Sequence, residues 1–118
     1  MPSWKKLITS GSDAAIPSIS HTGDFTLDVS GDINIDADGA DILLKDGGTS
    51  FGRFKRDNSN FVIKSETSNK DLVFKGTAAS GVITALTLDM SDSGKAVFGG
   101  DVSGSATSTG SFGRVEVS

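Results

Sequence analysis

Phe25-Thr-Leu-Asp-Val-Ser-Gly-Asp32, Ile33-Asn-Ile-Asp-Ala-Asp-Gly-Ala-Asp41 and Ile42-Leu-Leu-Lys-Asp-Gly-Gly48 follow one another without a break and share one pattern. Each unit has two apolar residues two apart, then an acid or a lysine, then a glycine. Phe25, Ile33 and Ile42 take the first apolar position, and Leu27, Ile35 and Leu44 the second. Gly31, Gly39 and Gly48 close the units. Alternation with a period of two is what a half-buried strand requires, because successive side chains point to opposite faces. A closing glycine supplies turn dihedrals that other residues resist. Strands this short bury little by themselves, so repeated units must stack, or pair with other chains, to make a core. The pattern predicts an elongated, structural, oligomeric β protein rather than a compact enzyme.

Composition points the same way. The chain has 118 residues, which allows one domain, and 36% of them are hydrophobic, a low share for a globular fold. A thin core in a small chain calls for disulfides, metal or self-association. Cysteine is absent, which excludes disulfides and thiolate metal sites, so self-association is the remedy left most open. Glu66 and Glu116 are the only glutamates among fifteen acidic residues. Aspartate suits turns and strand ends where glutamate suits helices, a further vote for β structure. The net charge of −4 is spread along the chain, and no polybasic stretch points to nucleic acid. No apolar run reaches membrane-spanning length. The opening Met-Pro-Ser-Trp-Lys-Lys-Leu-Ile lacks the apolar stretch of a secretory signal, so synthesis and assembly in a cytoplasm are expected.

Three regions are expected. Residues 1–23 form an N-terminal attachment segment whose bulky apolar cluster is Trp4, Leu7 and Ile8, with Lys5 and Lys6 between them. A tryptophan flanked by cations offers a large apolar area with few rotors, which makes an efficient anchor in another protein. Folding back of Trp4 onto its own domain is the alternative. Residues 24–98 form a repetitive β shaft. Within it, residues 49–64 read as a hairpin with its turn at Asp57-Asn-Ser-Asn60, and residues 71–75 as a strand followed by a turn of small residues from Thr77 to Gly81. Val82 to Met90 is a strand rather than a helix, because Thr84 and Thr87 favour β structure and Leu86, Leu88 and Met90 alternate onto one face. After a turn from Ser91 to Lys95 comes Ala96-Val-Phe. Residues 99–118 are an extended segment rich in Gly, Ser and Thr that ends in an alternating strand, Phe112-Gly-Arg-Val-Glu-Val-Ser118. Two echoes support repetition: Leu86-Thr-Leu-Asp-Met-Ser91 repeats the opening of the first unit, and Ser111-Phe-Gly-Arg-Val115 repeats Ser50-Phe-Gly-Arg-Phe54.

Little in the chain carries chemistry. Asn34-Ile-Asp-Ala-Asp-Gly39 resembles the start of a calcium loop, but the twelfth position is Lys45 where a bidentate glutamate is needed. A row of solvated aspartates that blunts a strand edge accounts for the same residues. His21, the one histidine, has no acid–base constellation around it in the sequence and reads as a loop residue. No aspartate pair is singled out for glycoside hydrolysis, and tyrosine is absent. Gly47-Gly48 and Gly99-Gly100 lack the spacing of a phosphate loop. Arg53, Lys55 and Arg56, interleaved with Phe51 and Phe54, make a basic patch too small for nucleic acid on an acidic chain. A charged strand tip or an ion-paired contact between subunits explains it better. No cofactor and no catalytic turnover are expected.

The opening Met-Pro-Ser-Trp-Lys-Lys-Leu-Ile-Thr-Ser-Gly-Ser-Asp-Ala resembles the N-terminus of tail-fibre and related structural proteins of tailed phages that infect cyanobacteria and other marine bacteria. The stretches at 69–76, 83–91 and 94–102 resemble a module recurring in the same proteins, and 103–116 is similar to their low-complexity segments. The resemblance covers most of the chain. It implies a virion component, usually trimeric, tied through its N-terminus to the tail or baseplate and supporting host adsorption. Related fibres often carry a receptor-binding tip; the end of this chain shows none, which leaves a shaft, a connector or a short fibre. The expected fold is therefore all-β: an elongated, intertwined homotrimeric β-helix or β-prism-like fibre with a short extended N-terminal anchor. Three chains around one axis can merge three thin apolar faces and pair their open strand edges. The trimer core is expected from Phe25, Leu27, Ile33, Ile35, Ile42, Leu44, Leu86, Leu88 and Met90. Its partners are expected to be sister copies and tail or baseplate proteins, with a host surface glycan as a further candidate. A monomeric β-sandwich that binds glycan is the competing reading, resting on Phe51, Phe54, Phe61 and Phe112. A polysaccharide depolymerase is a third, and would need an aspartate pair at a subunit groove.

Overall fold

The computed structural model describes residues 15–118. The chain divides into two units, Met1–Asn34 and Ile35–Ser118. In the first, residues 15–34 contain bends but no strand, and every one of them is exposed. The second holds six strands: β1 (Asp41–Asp46), β2 (Thr49–Asp57), β3 (Asn60–Ser65), β4 (Leu72–Ala78), β5 (Gly81–Asp89) and β6 (Lys95–Phe98). They form two three-stranded antiparallel meanders, β1-β2-β3 and β4-β5-β6, and the protein is all-β.

The first sheet follows from its turns. Gly47 and Gly48 sit at φ of +53° and +83°, and Asn58 and Ser59 at +47° and +70°. Positive φ at both central residues matches the right-handed twist of the flanking strands, so each pair closes a tight hairpin. The register places Ile42 opposite Phe54, and Phe54 opposite Ile63. A bulge between Leu44 and Lys45 sets Leu44 against Gly52. The Glu66 N–H donates to the Phe51 carbonyl at 3.0 Å and carries the β2–β3 pairing past the end of β3.

The second sheet repeats the plan with different turns. Leu72 faces Leu88, which faces Ala96; Phe74 faces Leu86, which faces Phe98. A bulge between Phe74 and Lys75 shifts the outer half of β4, so that Gly76 lies against Ile83. The β5–β6 connection is organised by Asp89. Its Oδ1 accepts from the Ser91 hydroxyl at 2.6 Å, the Ser91 N–H at 2.9 Å and the Asp92 N–H at 3.1 Å. The Ser91 hydroxyl is the main reason that the Asp89 carboxyl titrates below its ordinary value, with the two N–H donors and the Lys95 ammonium helping. A carboxylate with a lowered folded-state pKa adds stability above its unfolded pKa and loses it as pH falls through the folded one. Amide exchange in β6 should therefore accelerate as pH is lowered through the aspartate range, after correction for intrinsic rates. Asp89→Ala should bring that acceleration to neutral pH and remove the acid-dependent step.

The pairing corrects one sequence expectation, the turn from Thr77 to Gly81, and leaves two alternating segments without a partner in a single copy. The units at 25–32 and 33–41 alternate like strands, yet residues 25–37 pair with no strand among the described residues. Alternation selects a face, but a strand exists only where a neighbour takes its N–H and C=O groups. The expected last strand at 112–118 is unpaired for the same reason. Conversely, Thr77 and Ala78 belong to β4 and Gly81 to β5 rather than to a turn, because Val82 and Gly81 lie opposite Thr77 and Ala78 in register; the turn is confined to Ala79 and Ser80. The hairpin over 49–64 and the strand over 82–89 form as the alternation predicts.

No side chain among the described residues is buried. The two sheets do not close on each other. Where they adjoin, Ile63, Leu72 and Met90 line an open hollow of about 490 Å³ instead of interdigitating.

Candidate interaction faces

Each sheet has one apolar face. Residues directly opposite in an antiparallel pair share a face. The register therefore gathers Ile42, Leu44, Phe54, Phe61 and Ile63 on one side of the first sheet. The Phe54 and Phe61 rings stack across the strands with centroids 6.1 Å apart. In the second sheet the same rule gathers Leu72, Phe74, Leu86, Leu88, Ala96 and Phe98. Both rows reach water in a single copy: Ile42, Phe54, Leu72, Leu86 and Leu88 are half-buried, while Phe98 is 51% exposed and Phe61 75%. Contiguous apolar surface of this kind marks a contact with another molecule.

The opposite face of the first sheet holds a charged cluster beside Leu43 and Val62. Arg53 Nη1 lies 2.6 Å from Asp41 Oδ2, and Arg53 Nε lies 3.0 Å from Glu66 Oε1. Arg53 Nη2 donates to Glu66 Oε2 at 3.3 Å, and Lys64 Nζ approaches Glu66 Oε1 at 3.2 Å. Nε and Oε1 are out of hydrogen-bonding alignment, so that contact acts as an ion pair alone. Arg53 thus fastens β1 to the end of β3 across β2, with carboxylates of the same chain on both sides of its guanidinium.

A cleft of about 510 Å³ opens beside the Phe54–Phe61 pair. Ile35, Asp36, Asp38, Arg56, Asn60 and Phe61 are among the residues that line it. Asp36 and Asp38, whose spacing resembles the start of a calcium loop, line this cleft.

The expected core residues divide among these places. Ile42 and Leu44 come together with Phe54 and Ile63, and Leu86 and Leu88 with Leu72, Phe74 and Phe98. Met90 lies just beyond β5, where its N–H donates to Asp71 Oδ1 at 3.0 Å. Ile35 borders the cleft. Phe25, Leu27 and Ile33 lie in the other unit, exposed and unpaired. The expected anchor of Trp4, Lys5, Lys6, Leu7 and Ile8 lies outside the described residues. Sequence reasoning missed Phe54, Ile63, Leu72, Phe74 and Phe98 as members of the apolar faces. Their strands were legible, but they lie on β2, β3, β4 and β6, and only the cross-strand register brings them beside the expected members on β1 and β5. No protein-family model matches the chain, and no curated protein or solved structure matches it either.

Proposed function

We propose that this protein is a structural component of a phage tail: a homotrimeric, β-rich fibre or fibre-like appendage that supports host adsorption. The observation that carries the reading is the complete absence of buried side chains among the described residues, beside two sheets that each hold an apolar face. Apolar burial contributes about 25 cal/mol per Å² and is the main stabilising term of a fold. A single copy gains little of it, so sister copies supply the missing cover. The unpaired units at 25–37 then join an intertwined shaft of β-helix or β-prism type. Residues 1–23 tie that shaft to tail or baseplate proteins through Trp4, Leu7 and Ile8.

An antibody raised against residues 35–118 tests the placement. It should decorate the tails of intact particles, and a map of the particle should hold three copies at each attachment point. Particles that lack the chain, or carry it as isolated single copies, would overturn the proposal. A form without residues 1–20 should still associate but fail to incorporate into tails; equal incorporation would remove the anchor role.

A second reading is favoured by the cleft. Stacked Phe54 and Phe61 beside Asp36, Arg56 and Asn60 offer the apolar platform and polar rim that a sugar ring needs. On this reading the chain is a glycan-binding module. Glycan-array binding by a protein that sediments as a monomer would favour it over the fibre.

A further inference from the structure

Residues 111–117 have the alternation of a strand and no strand beside them. Ser111-Phe-Gly-Arg114 repeats Ser50-Phe-Gly-Arg53, which lies in β2, a central strand paired on both sides. The Arg114 guanidinium pairs with the Glu116 carboxylate, as side chains two apart do on one face of an extended backbone. Val115 and Val117 alternate onto the other face and are exposed, Val117 at 92%.

The order of elements also repeats. β1 is followed by Gly47-Gly48 and then by β2. β6 is followed by Gly99-Gly100 and then, after residues 101–110, by the second Ser-Phe-Gly-Arg. In the first case the glycine turn closes a tight hairpin. In the second, the intervening residues can span roughly 30 Å, enough for the segment to leave its own sheet. The outer edge of β6 meanwhile has no partner among the described residues. An unpaired edge is a template for strand addition.

We propose that residues 111–117 of one copy add antiparallel to β6 of a neighbouring copy and extend its second sheet to four strands. The proposal rests on the trimeric reading above and names the contact that links one copy to the next. One register satisfies charge and shape together: Glu116 opposite Lys95, Val115 opposite Ala96, Arg114 opposite Val97 and Gly113 opposite Phe98. Glu116 then meets the Lys95 ammonium, whose present partner, Asp92 at 3.2 Å, is an exposed and easily exchanged ion pair. Val115 and Val117 join the face that carries Leu86, Leu88, Ala96 and Phe98. Gly113 lies beneath the Phe98 ring. Gly52 is covered in a comparable way, since a Cβ there would stand 3.5 Å from Leu44 Cδ1, and a large side chain shields a glycine's backbone across a sheet.

The cysteine-free chain makes the test clean. Ala96→Cys and Val115→Cys single variants, carrying different tags, are co-expressed, and the mixed assembly is purified and oxidised. Directly opposite positions are within disulfide reach. A cross-linked dimer is expected. The pairing of Val97→Cys with Val115→Cys, on opposite faces, should give none above background. No dimer, or equal dimer in both mixtures, would overturn the proposal. So would an Ala96→Cys/Val115→Cys double variant that closes only within one chain. Val115→Pro provides a second measurement, because it alters a segment that neither sheet of a single copy uses. It should lower the midpoint for dissociation of the assembly, and an unchanged midpoint would overturn strand addition. Mass photometry of the same samples separates the two failures: a trimer without the cross-link retires strand addition alone, whereas a monomer retires the proposed function.

Discussion

Phe74→Ala should destabilise the protein by about 3–5 kcal/mol, the loss typical of truncating a buried phenylalanine. Phe74→Asp should leave the chain monomeric. Phe74 is 47% exposed in a single copy and stands in the row with Leu86 and Phe98. If that copy were the complete protein, truncation at such a surface position would stay within about 0.5 kcal/mol. The two cases differ several-fold in the same denaturation experiment. Urea unfolding at fixed protein concentration, with sedimentation of Phe74→Asp alongside, reads both outcomes. A loss under about 1 kcal/mol with association intact would place the sister copies somewhere other than on this face.

Gly99→Ala should disrupt the end of the second sheet. A Cβ on Gly99 would stand 2.0 Å from the Thr84 carbonyl oxygen, a backbone atom that cannot swing aside. The Gly99 N–H donates to the Ala85 carbonyl at 3.0 Å, so relief of the clash also breaks the last bond between this segment and β5. Overpacking of this kind costs about 1–3 kcal/mol. Gly100 is the control, since a Cβ there meets nothing within 4 Å. Gly100→Ala should move stability by less than about 0.5 kcal/mol. Thermal melting gives the magnitudes, and amide exchange of Val97, Phe98 and residue 99 gives the location. Equal behaviour of the two variants would mean that β6 does not lie against β5 as described.

The hairpin over 49–64 was readable from sequence because its turn is written in residue type: Asn58 accepts positive φ, and alternating runs flank it. The hairpin at Gly47-Gly48 was not legible, because those glycines also fit the close of a repeat unit. β5 was readable because Thr84 and Thr87 interrupt any helical face. Partners were harder to read. The units at 25–41 alternate as clearly as β2 does, yet alternation carries no statement of what lies alongside. In the described chain that neighbour is missing for residues 25–37. The ion pairs of Arg53 were hidden for a related reason. Asp41 and Glu66 are twelve and thirteen residues away, and only the register of both hairpins brings them to one guanidinium. The bulges at Leu44/Lys45 and Phe74/Lys75 each shift that register, and nothing in residue type marks them.

Dilution separates a copy that needs its sisters from one that does not. Sedimentation velocity and thermal melting across a hundredfold dilution series around micromolar concentration measure this most directly. The account predicts a trimer whose melting temperature falls as the protein is diluted, with secondary structure lost in step with dissociation. A monomer that melts cooperatively at one temperature throughout the series would contradict it.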